Sequence, residues 1–267
     1  MNLNVAFAGF DLFDVALESL LSEKCNIQEI FTCHVDGEFE TNSHVIQIAK
    51  QLKIPCHLEP VSKNDLERLK SNGCDLFLSA GYYHKFPVVD GISMVNIHPS
   101  LLPEGRGAWP LPVMILNGIK YAGASFHRIR NQFDTGEILL QEKFLIEKND
   151  TLEDVTQKVR DKIPHMISVL CENLDQLYEK AKQQTGGSYW KCPKEEEWSI
   201  HQDMNVEEAD RILRAFYGFG CIYEKEGKRW QIVKGRAFLD HSDMILEDNY
   251  IFPLKNGWIF AKSAKEL

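Results

Sequence analysis

The chain has 267 residues, 44% of them hydrophobic and 26% charged, and a net charge of −9. That apolar content can fill one large core or two smaller ones, and no apolar run approaches the ~20 residues of a membrane span. The acidic balance does not favour long-range attraction to nucleic acid, and seven cysteines without a C-x-x-C pair suggest neither a disulfide framework nor a thiolate zinc site.

Residues 1–5 carry no basic region ahead of their apolar stretch, so no signal peptide is read and the cytoplasm is the expected compartment. Residues 3–9 read as a buried strand ending in Gly9, and 11–21 as a helix with Leu12, Val15, Ala16, Leu20 and Leu21 near a 3.6-residue period. A single glycine stands at that junction rather than G-x-G-x-x-G, so no dinucleotide site is read. A second strand (27–33), a helix opened by Ser43 (43–52), a short strand (55–58) and a helix stopped near Gly73 (63–71) follow. Residues 75–80 and 93–97 are the fourth and fifth strands. Strands alternating with helices predict a parallel sheet covered on both faces, with ligands beyond the carboxyl ends of the strands. Gly9, the loop holding Tyr82, Tyr83 and His84, and the pair Asn96 and His98 all fall at such ends.

Residues 108–116 read as a helix, and 122–129 and 137–146 as two long strands flanking Asp134. Asp150 and Glu153 form a capping box. It opens a helix with Leu152, Val155, Val159, Ile163, Met166, Ile167, Leu170, Leu174 and Leu177 on one face. Pro164 should kink this helix and Gly186-Gly187 should end it. The texture changes at Ser188. A helix over 206–217 and short strands at 230–233, 250–252 and 258–261 predict a small α+β domain, with Trp190, Trp198 and Trp258 in its core. The expected division is a first domain over 1–187 and a second over 188–267.

The chemistry centres on Asn96-Ile97-His98-Pro99. Residues i and i+2 of a strand share a face, so the carboxamide and the imidazole sit side by side, and Pro99 ends the ladder. An imidazole can take up a proton near neutral pH, and a primary amide can donate to an oxygen gaining negative charge. Acyl transfer to an amine requires both. The bare pair is equally consistent with a hydrogen-bonded histidine at a strand end. Asp134, in Gln-Phe-Asp-Thr-Gly, is the candidate to orient the imidazole, or it is a plain Asx-turn. Arg106, between Gly105 and Gly107, can meet a phosphate with a bidentate fork or stand solvated in its loop. Tyr82, Tyr83 and His84 can stack on a nucleotide or close the edge of the core. His127 is read as structural, with either it or Phe126 facing solvent or a partner.

Asn-x-His-Pro-Ser-Leu-Leu-Pro, an Arg-Gly soon after, and Asp-Thr-Gly with its aspartate thirty-six residues beyond His98 resemble the formyltransferases that use 10-formyltetrahydrofolate. The resemblance implies a Rossmann-like, doubly wound, mostly parallel α/β sheet, followed here by the small C-terminal α+β domain. It implies Asn96, His98 and Asp134 as catalytic residues. The folate would lie against the stretch 131–138, with Phe133, Thr135, Gly136 and Ile138, against Arg106, and against apolar walls from Leu78, Ala80 and Leu102. Gly9, Tyr82, Tyr83, His84 and Pro99 would meet the second substrate. No metal is expected.

The run from Asn117 to Glu142 is similar to enzymes that formylate a 4-amino-4,6-dideoxyhexose on a nucleotide carrier, of the GDP-perosamine type. This implies a nucleotide-linked amino sugar as acceptor, a role in bacterial surface polysaccharide (O-antigen) synthesis, and a homodimer. No nucleic acid or membrane partner is expected. The alternatives are a methionyl-tRNA formyltransferase and a folate-binding homologue without turnover. Residues 190–267 carry twelve Lys and Arg against fourteen Asp and Glu, which weakens the tRNA alternative.

Overall fold

The computed structural model describes residues 3–35, 41–82, 84–239 and 250–267. The described chain forms two compact units. One comprises Met1–Ala108, Gly123–Phe144 and Val159–Tyr189; the other comprises Trp109–Ala122, Leu145–Lys158 and Trp190–Leu267.

The first unit is built on a seven-stranded sheet of order β3-β2-β1-β4-β5-β6-β7. The strands are β1 (Asn4–Gly9), β2 (Asn26–Phe31), β3 (Cys56–His57), β4 (Leu76–Ala80), β5 (Ser93–His98), β6 (Tyr121–Arg128) and β7 (Ile138–Leu145). β1 to β5 run parallel, and β6 runs antiparallel to β5. The order reverses between β1 and β4, the place where doubly wound sheets open a crevice at their carboxyl ends. Sequence and burial agree strand by strand. Every residue of the apolar run Leu-Phe-Leu-Ser-Ala in β4 is buried, as a strand covered on both faces requires. β7, at the edge, alternates between exposed and more buried positions.

Three helices link the first strands: α1 (Val15–Ser22), α2 (Ser43–Leu52) and α3 (Lys63–Ser71). The predicted first helix is divided, because a short 3-10 turn at Asp11–Phe13 precedes α1. The Asp11 carboxylate accepts from the N–H groups of His44 and Val45 at 3.0–3.2 Å, satisfying free donors at the start of α2, whose N-cap is Asn42 rather than Ser43. α4 (Pro110–Leu116) starts two residues later than read, with Pro110 in its first turn, where a missing N–H costs nothing.

The long helix α5 (Leu152–Glu179) buries Val155, Val159, Ile163, Met166, Ile167, Leu170 and Leu174, the expected face. Its capping box lies one residue later than predicted: Thr151 Oγ1 accepts from Asp154 N, and Asp154 Oδ2 from Thr151 N. Asp150 instead accepts from Glu147 N–H and from Lys158. The backbone leaves helical geometry at Asn173 (φ −130°, ψ 24°). There the side-chain amide donates to the Val169 carbonyl, a bond that competes with the helix ladder. α5 ends at Glu179, ahead of Gly186-Gly187, because the following chain turns to bond the first unit's loops.

The second unit holds a five-stranded sheet of order β11-β12-β10-β9-β8. Its strands are β8 (Ser199–His201), β9 (Cys221–Lys225), β10 (Lys228–Phe238), β11 (Tyr250–Leu254) and β12 (Gly257–Glu266), with helices α6 (Glu195–Trp198) and α7 (Val206–Ala215). Its fully buried side chains include Ile200, Ala209, Ala215, Phe216, Tyr223, Ile259 and Ala261. Trp190, Trp198 and Trp258 are half-buried around that core rather than at its centre. Trp109 packs edge-on against Trp198, Phe216 and Phe219, with centroids 4.7–6.3 Å apart.

Candidate active site

Asn96 and His98 close β5 on one face of the strand, as their spacing predicted. β6 lies antiparallel to β5 with His127 directly opposite Asn96. Directly opposed residues on such a pair are within side-chain reach, and Asn96 Nδ2 lies 3.0 Å from His127 Nε2. His127 Nδ1 is 2.8 Å from the Arg128 carbonyl oxygen, which can only accept. The neutral ring therefore carries its proton on Nδ1, and Nε2 accepts one Asn96 N–H. The second N–H of that amide remains for another acceptor. Phe126 and His127 are both buried; the partner His127 faces is Asn96.

His98 is 4% exposed. Its Nε2 lies 2.8 Å from the Gly105 carbonyl oxygen, so the neutral ring is protonated at Nε2 and bears its lone pair on Nδ1. Nδ1 faces Asp134 Oδ1 at 3.5 Å. Burial pushes the His98 pKa below 6.5, opposed in part by the Asp134 charge and the Gly105 carbonyl. The ring is thus kept in its proton-accepting form. A proton arriving at Nδ1 converts an acceptor-to-acceptor approach into an ion pair with Asp134.

Asp134 is also buried and sits at φ 56°, in the left-handed region that aspartate tolerates better than most residues. Its Oδ2 accepts from Gly107 N–H at 3.0 Å, twenty-seven residues away, and its Oδ1 is 3.6 Å from His127 Nε2. Its carboxylate thus ties separate loops together rather than only closing a local turn. Burial alone would raise its pKa. In the acid range where Asp134 would titrate, the protonated His127 and His98 rings, with the Gly107 N–H, outweigh burial and hold it at about 2, so the carboxylate is charged at neutral pH.

Leu78 and Ala80 have no exposed surface, and Leu102 is buried, so these three back the site from within the core. Phe133 is exposed next to Asp134, with Lys85 Nζ 5.3 Å from its ring centre. Thr135 Oγ1 donates to Gln132 O. A β-carbon at Gly136 would collide with the Arg128 carbonyl, so only glycine lets β6 and this loop approach so closely. Ile138 pairs through its backbone with Lys182. The Arg106 fork is engaged within the protein, by Gln184 Oε1 at 2.9 Å and the Gly186 carbonyl at 3.0 Å. Gly9 is needed where β1 and β4 meet, because a β-carbon would lie 2.6 Å from the Ala80 oxygen. Tyr82 is buried between Phe10 and Phe86, with its pKa pushed up to about 12 by burial. His84 meets its ring edge-on, Pro99 is half-buried beside His98, and Tyr83 lies outside the described residues. Among the described residues, no three His, Cys, Asp or Glu side chains group as a metal ion would require, and no helix is long and apolar enough to cross a membrane.

A proton acceptor backed by a fixed carboxylate, beside an amide with an N–H to spare, can move an acyl group onto a nucleophile. Residues 33–170, just over half of the chain, match the family of formyl transferases. A methionyl-tRNA formyltransferase of Wolbachia sp. subsp. Drosophila simulans is 31% identical over 277 residues, covering 97% of this chain and 90% of the relative. The chain belongs to the formyl transferase family. Two solved structures share its fold. An N-formyltransferase of Helicobacter canadensis, solved with folinic acid and dTDP-3-aminofucose, matches with a TM-score of 0.70 at 18% identity over 99% of this chain and 100% of that one. HypX of Aquifex aeolicus, solved with tetrahydrofolic acid, matches with 0.74 at 14% identity over 100% of this chain and 44% of that one.

Proposed function

We propose that the protein transfers a formyl group from 10-formyltetrahydrofolate to the primary amine of a nucleotide-linked amino-dideoxy sugar, for bacterial surface polysaccharide. The observation that carries the reading is the convergence of Asn96, His98 and Asp134 at the carboxyl end of β5. The co-substrate supplies an activated formyl group. The flat, exposed ring of Phe133 and the exposed residues 131–132 beside Asp134 suit a planar heterocycle. Asn96 donates its free N–H to the carbonyl oxygen as the amine attacks. His98 takes the amine proton at Nδ1, where Asp134 stabilises the imidazolium; as the tetrahedral intermediate collapses, the bond from the formyl carbon to folate N10 breaks and the proton passes to N10, leaving tetrahydrofolate and neutral His98. No side chain forms a covalent bond to the formyl group.

The sugar acceptor is supported by the likeness to the Helicobacter enzyme, which covers nearly the whole of both chains, and by the near-balanced, slightly acidic composition of residues 190–267. Methionyl-tRNA is the second reading, favoured by the name of the 31%-identical relative. Incubation with 10-formyltetrahydrofolate, a panel of nucleotide-linked amino sugars and, separately, methionyl-tRNA distinguishes the two. The sugar reading predicts tetrahydrofolate release and a formyl mass gain on one sugar nucleotide; formylation of the tRNA alone would overturn it.

A further inference from the structure

The two loops that hold the candidate site are joined by a segment that no motif marks. Gly105, whose carbonyl accepts a hydrogen bond from His98 Nε2–H, and Gly107, whose N–H donates to Asp134, lie on the first loop. Asp134 and Gly136 lie on the second. Residues 182–188 lie against both. Lys182 and Ile138 exchange backbone hydrogen bonds at 2.8 Å. Gly105 N–H donates to Ser188 Oγ at 3.0 Å, and Arg106 N–H donates to the Ser188 carbonyl at 3.1 Å.

Gln184 makes the joint. Its Nε2 donates to the carbonyl oxygens of Asp134 at 2.8 Å and Gly136 at 2.6 Å, and its Oε1 accepts from Arg106 Nε at 2.9 Å. All three faces of the amide are used. Its orientation is fixed by chemistry, because a guanidinium can only donate and carbonyls can only accept. Neither a carboxylate nor an apolar side chain can make the same three bonds.

We propose that Gln184 is a positioning residue, which sets the separation of His98 and Asp134 by clamping the 104–107 loop to the 134–136 loop. Gln184 touches neither side chain; it acts through the Arg106 guanidinium on the first loop and the backbone carbonyls of Asp134 and Gly136 on the second. The inference rests on the proposed formyl transfer for its kinetic consequence, but its geometric consequence can be read without substrate. Misplacing a site by about 1 Å can cost on the order of 100-fold in rate.

The test uses the full-length chain. Gln184→Ala removes all three bonds; Gln184→Glu keeps the acceptor for Arg106 and loses both donors. Three readouts are taken: kcat and KM for formyl transfer, thermal unfolding, and titration of the His98 ring by 15N NMR in the absence of substrate. Both variants should lose tenfold or more in kcat with KM changed less than threefold. Water admitted to the loosened loops should move the His98 titration upwards, towards that of an ordinary histidine. A fall in Tm with kcat and the His98 titration unchanged would overturn the proposal. If Gln184→Ala does not fold, Arg106→Lys, which keeps the charge and loses the fork, should move the same two readouts in the same direction; no movement there would also overturn it. If the wild type formylates none of the acceptors, the functional reading fails, and the His98 titration alone decides the positioning claim.

Discussion

Asn96→Leu separates two roles of one amide. Leucine keeps the branched shape and heavy-atom count of asparagine and removes both N–H groups. One of these is donated to His127 Nε2 at 3.0 Å, and His127 is 3% exposed. Leaving such a buried acceptor without its donor costs about 1–3 kcal/mol of stability. The other N–H is the proposed donor to the reacting oxygen, and losing one such donor costs on the order of 10²–10³ in kcat. Replacing both members of a buried hydrogen bond by apolar groups is close to neutral. The double variant Asn96→Leu/His127→Phe should therefore recover more than half of the lost stability while kcat stays low. Stability is to be followed in urea by far-ultraviolet circular dichroism. A single variant within tenfold of wild-type kcat would refute the donor role. A double variant no more stable than the single one would refute the hydrogen bond as the source of the cost.

The acid limb of kcat/KM should lie below pH 6.5, because burial favours neutral His98 and the proton-accepting form persists to lower pH. Asp134→Asn removes the charge that raises the His98 pKa, so it should move that limb to still lower pH while reducing the plateau; a limb that moves upwards would contradict the geometry. Ile163→Ala, at a fully buried position on α5, should cost about 2–5 kcal/mol in urea unfolding. Cys192 is the exposed cysteine, and mass spectrometry after brief alkylation should find it modified ahead of buried Cys33, Cys74 and Cys221.

Much of the site was legible because β-strand geometry is strict. A period of two fixed Asn96 and His98 side by side, and alternating strands and helices fixed the end of the sheet at which they lie. Residue type makes Asp134 a candidate and the resemblance favours it over a plain turn, but its contact with Gly107 cannot be read from a turn-forming sequence. Strand alternation alone leaves His127 structural because it does not reveal register, and only the pairing of β5 with β6 sets it opposite Asn96. Gln184 carries no signal at all, being one polar residue in a polar run after a helix. Arg106 suggested a phosphate fork, and its fork instead faces the backbone and Gln184. Pro164, which suggests a kink, lies inside α5, and no sequence signal marks Asn173, where the backbone leaves helical geometry and a side-chain amide competes for a carbonyl. Tyr82 follows β4 into an aromatic cluster, a choice between core and ligand that composition could not make.

The most direct test of the account is a single-turnover experiment with 10-formyltetrahydrofolate and an accepted amine, comparing wild type with His98→Ala. Transfer should be slower by at least 100-fold in the variant, with folinic acid bound as tightly as by the wild type. Transfer at the wild-type rate in a folded His98→Ala protein would contradict it.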